Sequence, residues 1–537
     1  FSMDPHVSWF GYYSRFNGGM LSIISYVLLY YAFVSNWQSS LRPLLNVSLG
    51  TAVAIALYGM AERLGIDKHL WVQDVQNRVF STLGQPNWLA AYLVALIPLA
   101  MALGIKTIED RKLKMVVDGG KLNIDNQKLS SIFYALPLSS VVYFLLSILF
   151  FLVLLFTRSR SGLFAFAVAD ILFWGLVFLM SFPRRRESSE TKNRMPDQVG
   201  HDKKSMLLSF VICHLSFVII VFFNGTYIDS VDTWVTFGAW RERLFHPKTT
   251  TVQPATPGVA AFTAPLLETG GTESSVIRKY VWQGAVNAWK SSVKTILIGT
   301  GTETFAYAFY QFRPEGHNMT SEWDFLYNKA HNEYLNYLAT TGIFGLGSYL
   351  FFIGAFIVWF VKFSIFNFQF SNKKEIPSYQ LSIINYSLFA GWISVLVTNF
   401  FGFSVVIVQL FLFLFPAMAF VATQQTQKFF VIPGLTRNPS FSQTGSRLGG
   451  RDDTRAQRWL IMLILGVSFL FLFLVGRTWW ADVLFAQGYR LARNGLYAQA
   501  QQLTSRASSI NPTEPLYRDE HSTTLAALAA SAVEQKQ

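Results

Sequence analysis

Residues 135–182 read ALPLSSVVYFLLSILFFLVLLF, then TRSRS, then GLFAFAVADILFWGLVFLMSF. The two apolar runs, 135–156 and 162–182, each approach the ~20 residues that a helix needs to cross the hydrocarbon core of a bilayer. The segment 157–161 between them leaves room only for a tight reversal. Lipid offers no partner to backbone amides and carbonyls, so a run of this kind is satisfied by forming a helix. Similar runs at 19–36, 45–62, 88–105, 206–223, 342–361, 381–398, 404–422 and 459–476 extend the hairpin to ten expected spans. Composition agrees: 52% of the 537 residues are hydrophobic and only 14% charged, more apolar surface than a soluble domain of this length could bury. The expected fold class is all-α, a polytopic helical membrane protein with a large loop at 224–333.

The short loops set an orientation. Those at 37–44, 106–131, 183–205, 362–380 and 423–458 carry 23 Lys and Arg, against 6 in 1–18, 63–87, 157–161 and 399–403. The richer side is expected to face the cytoplasm. Loop 224–333 and the tail 477–537 are then expected outside, and the basic loops would meet anionic lipid rather than nucleic acid. The chain starts inside what reads as a loop, so further spans are expected before Phe1. Two loops, from Phe182 to Lys204 and from Val431 to Asp453, are polar, rich in Pro, Gly, Ser and Arg, and without hydrophobic period. Cys213 is the only cysteine, which excludes a disulfide framework and a CxxC metal site. His214 beside it reads as a helix-packing residue bonded to a carbonyl.

The tail differs in character. From Leu484 to Pro512, Gly488, Tyr489, Gly495, Tyr497, Ala500 and Ala507 have the small-residue and aromatic spacing of one tetratricopeptide helix pair. One such pair cannot bury its own face, so 516–533 is expected either to add a helix or to leave the pair to a partner. The expected division is a membrane core at 1–476 and a helical tail at 477–537.

His331-Asn332, nine residues before Gly342-Ile343-Phe344-Gly345, places an imidazole at the mouth of an apolar helix. At ~100° per residue His331 and Gly342 are expected on one helix face, with Gly342 and Gly345 admitting a neighbouring helix. Imidazole exchanges protons near neutral pH, which suits a general base. His317-Asn318 serves as an internal comparison, since no apolar helix follows it. Across the same expected face, Arg158 and Arg160 in the 157–161 turn could snorkel to headgroups or grip a diphosphate through their guanidinium forks.

Taken together, His331-Asn332-x9-Gly342-x2-Gly345, Arg278-x3-Trp282, Gly299-x-Gly301-x3-Phe305, Thr157-x-Ser159-Arg160 and Gly84-Gln85-Pro86-Asn87-Trp88-Leu89-Ala90 resemble the bacterial O-antigen ligase and polymerase superfamily. The opening Ser8-Trp9-Phe10-Gly11, with Arg15 and Gly18, is similar too. Ser348 departs from the Gly, Thr or Tyr that the ligase pattern prefers there, although a small residue is kept. The resemblance implies a GT-C-like helical enzyme of the cytoplasmic membrane. Such an enzyme moves a glycan from an undecaprenyl-diphosphate carrier to a lipid, glycan or protein acceptor outside, without a metal or other cofactor. It implies His331 as general base, Arg278 and Arg160 as holders of the diphosphate, and Arg158, Asn332, Arg15 and Trp282 as substrate-binding residues. Ligase, polymerase and protein O-oligosaccharyltransferase all stay open on this resemblance. A lipid-linked glycan transporter, the reading from another class, predicts internal pseudo-symmetric repeats that the sequence does not display.

Overall fold

The computed structural model describes residues 1–12, 18–68, 74–117, 137–181, 196–245, 274–370, 379–429 and 453–534. Arg15 and most of the two polar loops lie outside the described residues. Everything regular among the described residues is helical. Each of the ten expected spans is a helix. Among the described residues nine helices are long and apolar enough to cross a membrane, and Met20–Asn36, at 17 residues, is a shorter apolar one. The molecule is a polytopic helical membrane protein.

The chain divides into two compact units, residues 1–430 and 431–537. In the first, Pro86–Val117 is the central helix, buried over almost all of its apolar window. Leu138–Phe156, Arg160–Ser181 and Tyr379–Phe400 pack around it. Small residues permit these approaches: a methyl group on Gly162 would lie 2.6 Å from the Ala90 methyl, and one on Gly391 would run into the Ala95 carbonyl. Buried polar groups are used as cross-links, with Trp392 Nε1 donating to the Leu412 carbonyl at 2.9 Å and Asn385 to Thr423 at 3.1 Å. His214 Nδ1 donates to the Phe210 carbonyl (2.8 Å), as its sequence suggested, and Nε2 pairs with Asp170 on Arg160–Ser181 at 2.8 Å.

The helix after His331 departs from expectation. Glu333–Phe370 is broken at Gly342, whose φ of 64° and ψ of −165° belong to no helix. His331 stands outside the helix, with φ 51°, and Asn332 caps it: its carboxamide oxygen accepts from the Leu335 amide at 3.1 Å. The shared face of His331 and Gly342 is therefore not formed. Nor do the glycines serve a neighbouring span. A methyl group on Gly342 would lie 2.5 Å from the Ile298 nitrogen, and Gly345 sits under the Thr341 side chain. The break frees the carbonyls of Ala339 and Thr340, which accept from the amides of Thr300 (3.1 Å) and Gly301 (2.9 Å). The Gly299-Thr300-Gly301 turn is thus the partner of the broken helix, since buried carbonyls without donors would be costly.

In the second unit, Asp453–Arg493 runs unbroken from the last apolar segment into the tail, where 476/477 had been the expected boundary. Tyr497–Ile510 packs back on it, with the Gly488 backbone beside the Thr504 methyl and the Ala500 carbonyl. The expected further helix is Pro515–Glu534. Its Tyr517 is fully buried, stacks near Phe485 with ring centroids 5.0 Å apart, and donates its hydroxyl to Asp482.

Candidate active site

Five non-glycine residues have positive φ among the described residues: Ser81, Arg158, Tyr227, Glu303 and His331. Each conformation of this kind costs on the order of 1–3 kcal/mol and persists only where the surroundings over-determine it. Ser81, Arg158, Tyr227 and His331 belong to a single arrangement of loops, reached by the following contacts.

Glu62, at the end of Arg42–Arg63, accepts from the amides of Phe80 (3.0 Å) and Ser81 (2.7 Å). This anchors the loop that carries Arg78. The same loop ties onto the 157–161 turn, with the Val79 amide donating to Phe156 O and Arg78 Nε to Thr157 O, both at 3.2 Å. In that turn Ser159 caps Arg160–Ser181 by accepting from the Gly162 amide at 3.1 Å, and donates to Asn87 at 2.8 Å. Asn87 belongs to the Gly84-Gln85-Pro86-Asn87 entry into the central helix. There Gly84 has φ 75°, and Pro86 is the first residue of the helix, a position where its missing N–H is no loss.

Three arginines meet above this turn. Burial pushes the Arg78 guanidinium below the ordinary arginine range, and repulsion from Arg158 and then Arg278 pushes it further down. Arg158 lies over the Tyr227 ring, 4.3 Å from its centroid, and its buried Nε has no hydrogen-bond partner. Tyr227 is set by Asp232, whose carboxylate accepts from the Tyr227 amide at 2.8 Å and from the Thr226 amide at 2.6 Å. Arg278, on Ser274–Lys290, is likewise lowered by burial, opposed by Glu322 and Tyr327. Trp282 follows one helical turn later, against Phe400 with centroids 5.9 Å apart.

Tyr327 links the cationic group to His331. Its hydroxyl donates to Glu322, and its ring meets the imidazole edge-on at 5.6 Å. On the other side Phe403 meets the imidazole at 5.4 Å. His331, half-buried, lines a cavity there with Gln85, Asn87, Ser161, Asn399 and Phe403. The arrangement thus sets a titratable base between a partly exposed group of arginines and a cavity lined by neutral amides, hydroxyls and aromatic rings. Such a site can hold a polyanion and take a proton from a hydroxyl.

Of the residues singled out from sequence, Arg158, Arg278, Trp282 and His331 come together here. The carboxamide oxygen of Asn332 is committed to its cap. Arg160, the first residue of its helix, is exposed, and the like-charge neighbours of Arg78 are Arg158 and Arg278 instead. His317 is fully buried against Phe309 and Tyr327, a core residue. Sequence reading missed Arg78, Glu322 and Tyr327. Arg78 stands seven residues before Gln85 of a quoted motif, which is the signal that could have found it. Among the described residues no group of three or more His, Cys, Asp or Glu is placed to hold a metal ion.

The fold and site together define a polytopic helical membrane protein with a group of arginines beside a histidine. Residues 145–350 match the family model described as O-antigen ligase. This match supports membership of the O-antigen ligase superfamily. Searches of curated proteins and of solved structures found no match.

Proposed function

We propose that this protein transfers a glycan from an undecaprenyl-diphosphate carrier to an acceptor hydroxyl at the outer face of the cytoplasmic membrane, as an O-antigen ligase-type enzyme working without a metal. The observation that carries the reading is the chain of contacts at this site: Arg158 lies over Tyr227, Tyr327 bonds Glu322 and meets the His331 ring, and Arg278 feels Glu322 and Tyr327 while Arg78 feels both other arginines. Arg78 is exposed and Arg158 and Arg278 are half-buried; a bound diphosphate would offset their like charge, which Glu322 opposes at Arg278. In the reaction the acceptor oxygen bonds to the anomeric carbon while the bond from that carbon to the diphosphate oxygen breaks. The acceptor proton goes to His331, and the arginines receive the charge that develops on the leaving diphosphate. Direct displacement inverts the anomeric configuration. The tail helices, which belong to a compact unit of their own, support the variant in which the acceptor is a protein.

The test is transfer by purified protein from a synthetic polyprenyl-diphosphate oligosaccharide. His331→Gln should lose ~10²-fold or more in kcat. Arg278→Lys and Arg158→Lys, which keep charge but lose the fork, should be severely impaired. EDTA should leave the rate unchanged. Near wild-type turnover by His331→Gln would remove the proposed base and the mechanism with it.

A further inference from the structure

A second, smaller polar cavity lies beside Glu333, at the start of the broken helix. Glu303, Glu333, Gln409, Tyr337 and Thr340 line it, with room for about one water-sized particle. Lys329 is paired with Glu303 through Oε1, both side chains being 3% exposed. The remaining oxygens are the unusual ones. Glu303 Oε2, Glu333 Oε2 and Gln409 Oε1 are buried with no hydrogen-bond partner, although Glu333 is only 6% and Gln409 only 4% exposed. They come from three separate segments: the turn after Gly301, the helix start after His331, and the Val406–Phe429 helix.

We propose that this cavity is a binding site for one dehydrated monovalent cation of sodium size. Charge argues for it: among the described residues two buried carboxylates and one ammonium leave a net negative charge, which one added positive charge cancels. A divalent ion would leave an excess of the opposite sign, and Mg²⁺ would bring waters for which the cavity has no room. Ligand chemistry argues for it as well. The oxygens are carboxylate and carboxamide, hard donors without the nitrogen or sulfur that selects zinc or copper. The cation would tie the Glu303 turn, the start of the broken helix and the Val406–Phe429 helix together. Lys329 and Glu333 flank His331, so the same ion would fix the left-handed backbone on which the imidazole stands.

The experiment is equilibrium binding of radioactive Na⁺ to the purified full chain in lipid nanodiscs, with choline chloride holding ionic strength constant. The wild type should retain one Na⁺ per chain, and its melting midpoint should rise when Na⁺ replaces choline. Glu333→Gln and, as a charge-neutral second variant, Gln409→Leu should each weaken retention at least tenfold and flatten the midpoint response. The titratable groups facing the cavity are Glu303, Lys329, Glu333 and Tyr337. A midpoint that responds to pH but not to Na⁺ would assign the cavity to a proton and overturn the proposal. So would the absence of retained Na⁺ on folded wild type, or equal retention by both variants. Because the readouts are binding and melting, they stand apart from glycan transfer and from the role of His331.

Discussion

Gly342→Ala should be among the most damaging single-methyl changes this membrane core can receive. At φ 64° and ψ −165° the backbone occupies a region that is essentially reserved for glycine, and an alanine there costs on the order of 1–3 kcal/mol before any contact is considered. The added methyl would also sit 2.5 Å from the backbone nitrogen of Ile298. Backbone cannot swing aside as a flexible side chain would, so the 297–301 segment must move, adding typically 1–3 kcal/mol of overpacking. That movement pulls the Thr300 and Gly301 amides from the Ala339 and Thr340 carbonyls. The total is about 2–6 kcal/mol. Gly347→Ala, five residues on in the same helix with open space around its Cα, is the comparison. It should be neutral or stabilising by ~0.5–1 kcal/mol, since helical glycine is the less favourable residue. Denaturation of both purified variants in mild detergent, followed by tryptophan fluorescence, measures the difference. Equal midpoints would refute the reasoning, because they would mean that the break at Gly342 is not required by the fold.

Burial pushes the His317 imidazole below its ordinary range, so the folded state prefers it neutral. Its contribution to stability is complete above ~6.5 and is lost as pH falls towards the lower folded value; His317→Phe should therefore flatten the acid limb of the melting profile, and an unchanged limb would count against this burial. Because the side chain is core, His317→Ala should destabilise the protein by opening a cavity, which makes it an unsuitable inert comparison for His331. In the tail, burial and then Asp482 push the Glu514 carboxyl up to about 7, while the Leu516 amide opposes them. Stability from the protonated form is complete below ~4.5 and is lost as pH rises through 7; Glu514→Gln should slow proteolysis of the tail at pH 8 and change little at pH 5. For orientation, cysteines at Ser274 and Ser505 should react with an impermeant thiol reagent in intact spheroplasts, and reaction only after lysis would invert the expected topology.

The spans were legible because the period of the chain and the thickness of a bilayer leave few alternatives for a run such as 138–156. Less visible was what happens between spans. His331 and Gly342 obey helical spacing, and only the three-dimensional approach of 297–301 shows that a break, not a face, separates them. Arg78 had no motif of its own. Its place depends on Glu62 and on the 157–161 turn, partners far away in sequence. The Gly299-Thr300-Gly301 signature was readable as a turn, but its task of supplying amides to another segment's carbonyls belongs to tertiary structure. The sequence favoured Arg160 over Arg158 as a holder of the diphosphate; the left-handed Arg158 between two helices lies over Tyr227, whereas Arg160 is exposed.

The pairing of the 299–301 turn with the broken helix also bears on biogenesis. A ribosome makes the amide donors about forty residues before the carbonyls that need them. By the time Ala339 and Thr340 emerge, their partners have already been synthesised, and the break closes on a segment that is waiting for it. A circular permutation that opened the chain between residues 313 and 326 would reverse that order. The freed carbonyls would then meet lipid or water first, and yield of inserted protein, more than its final stability, is where the change would be felt.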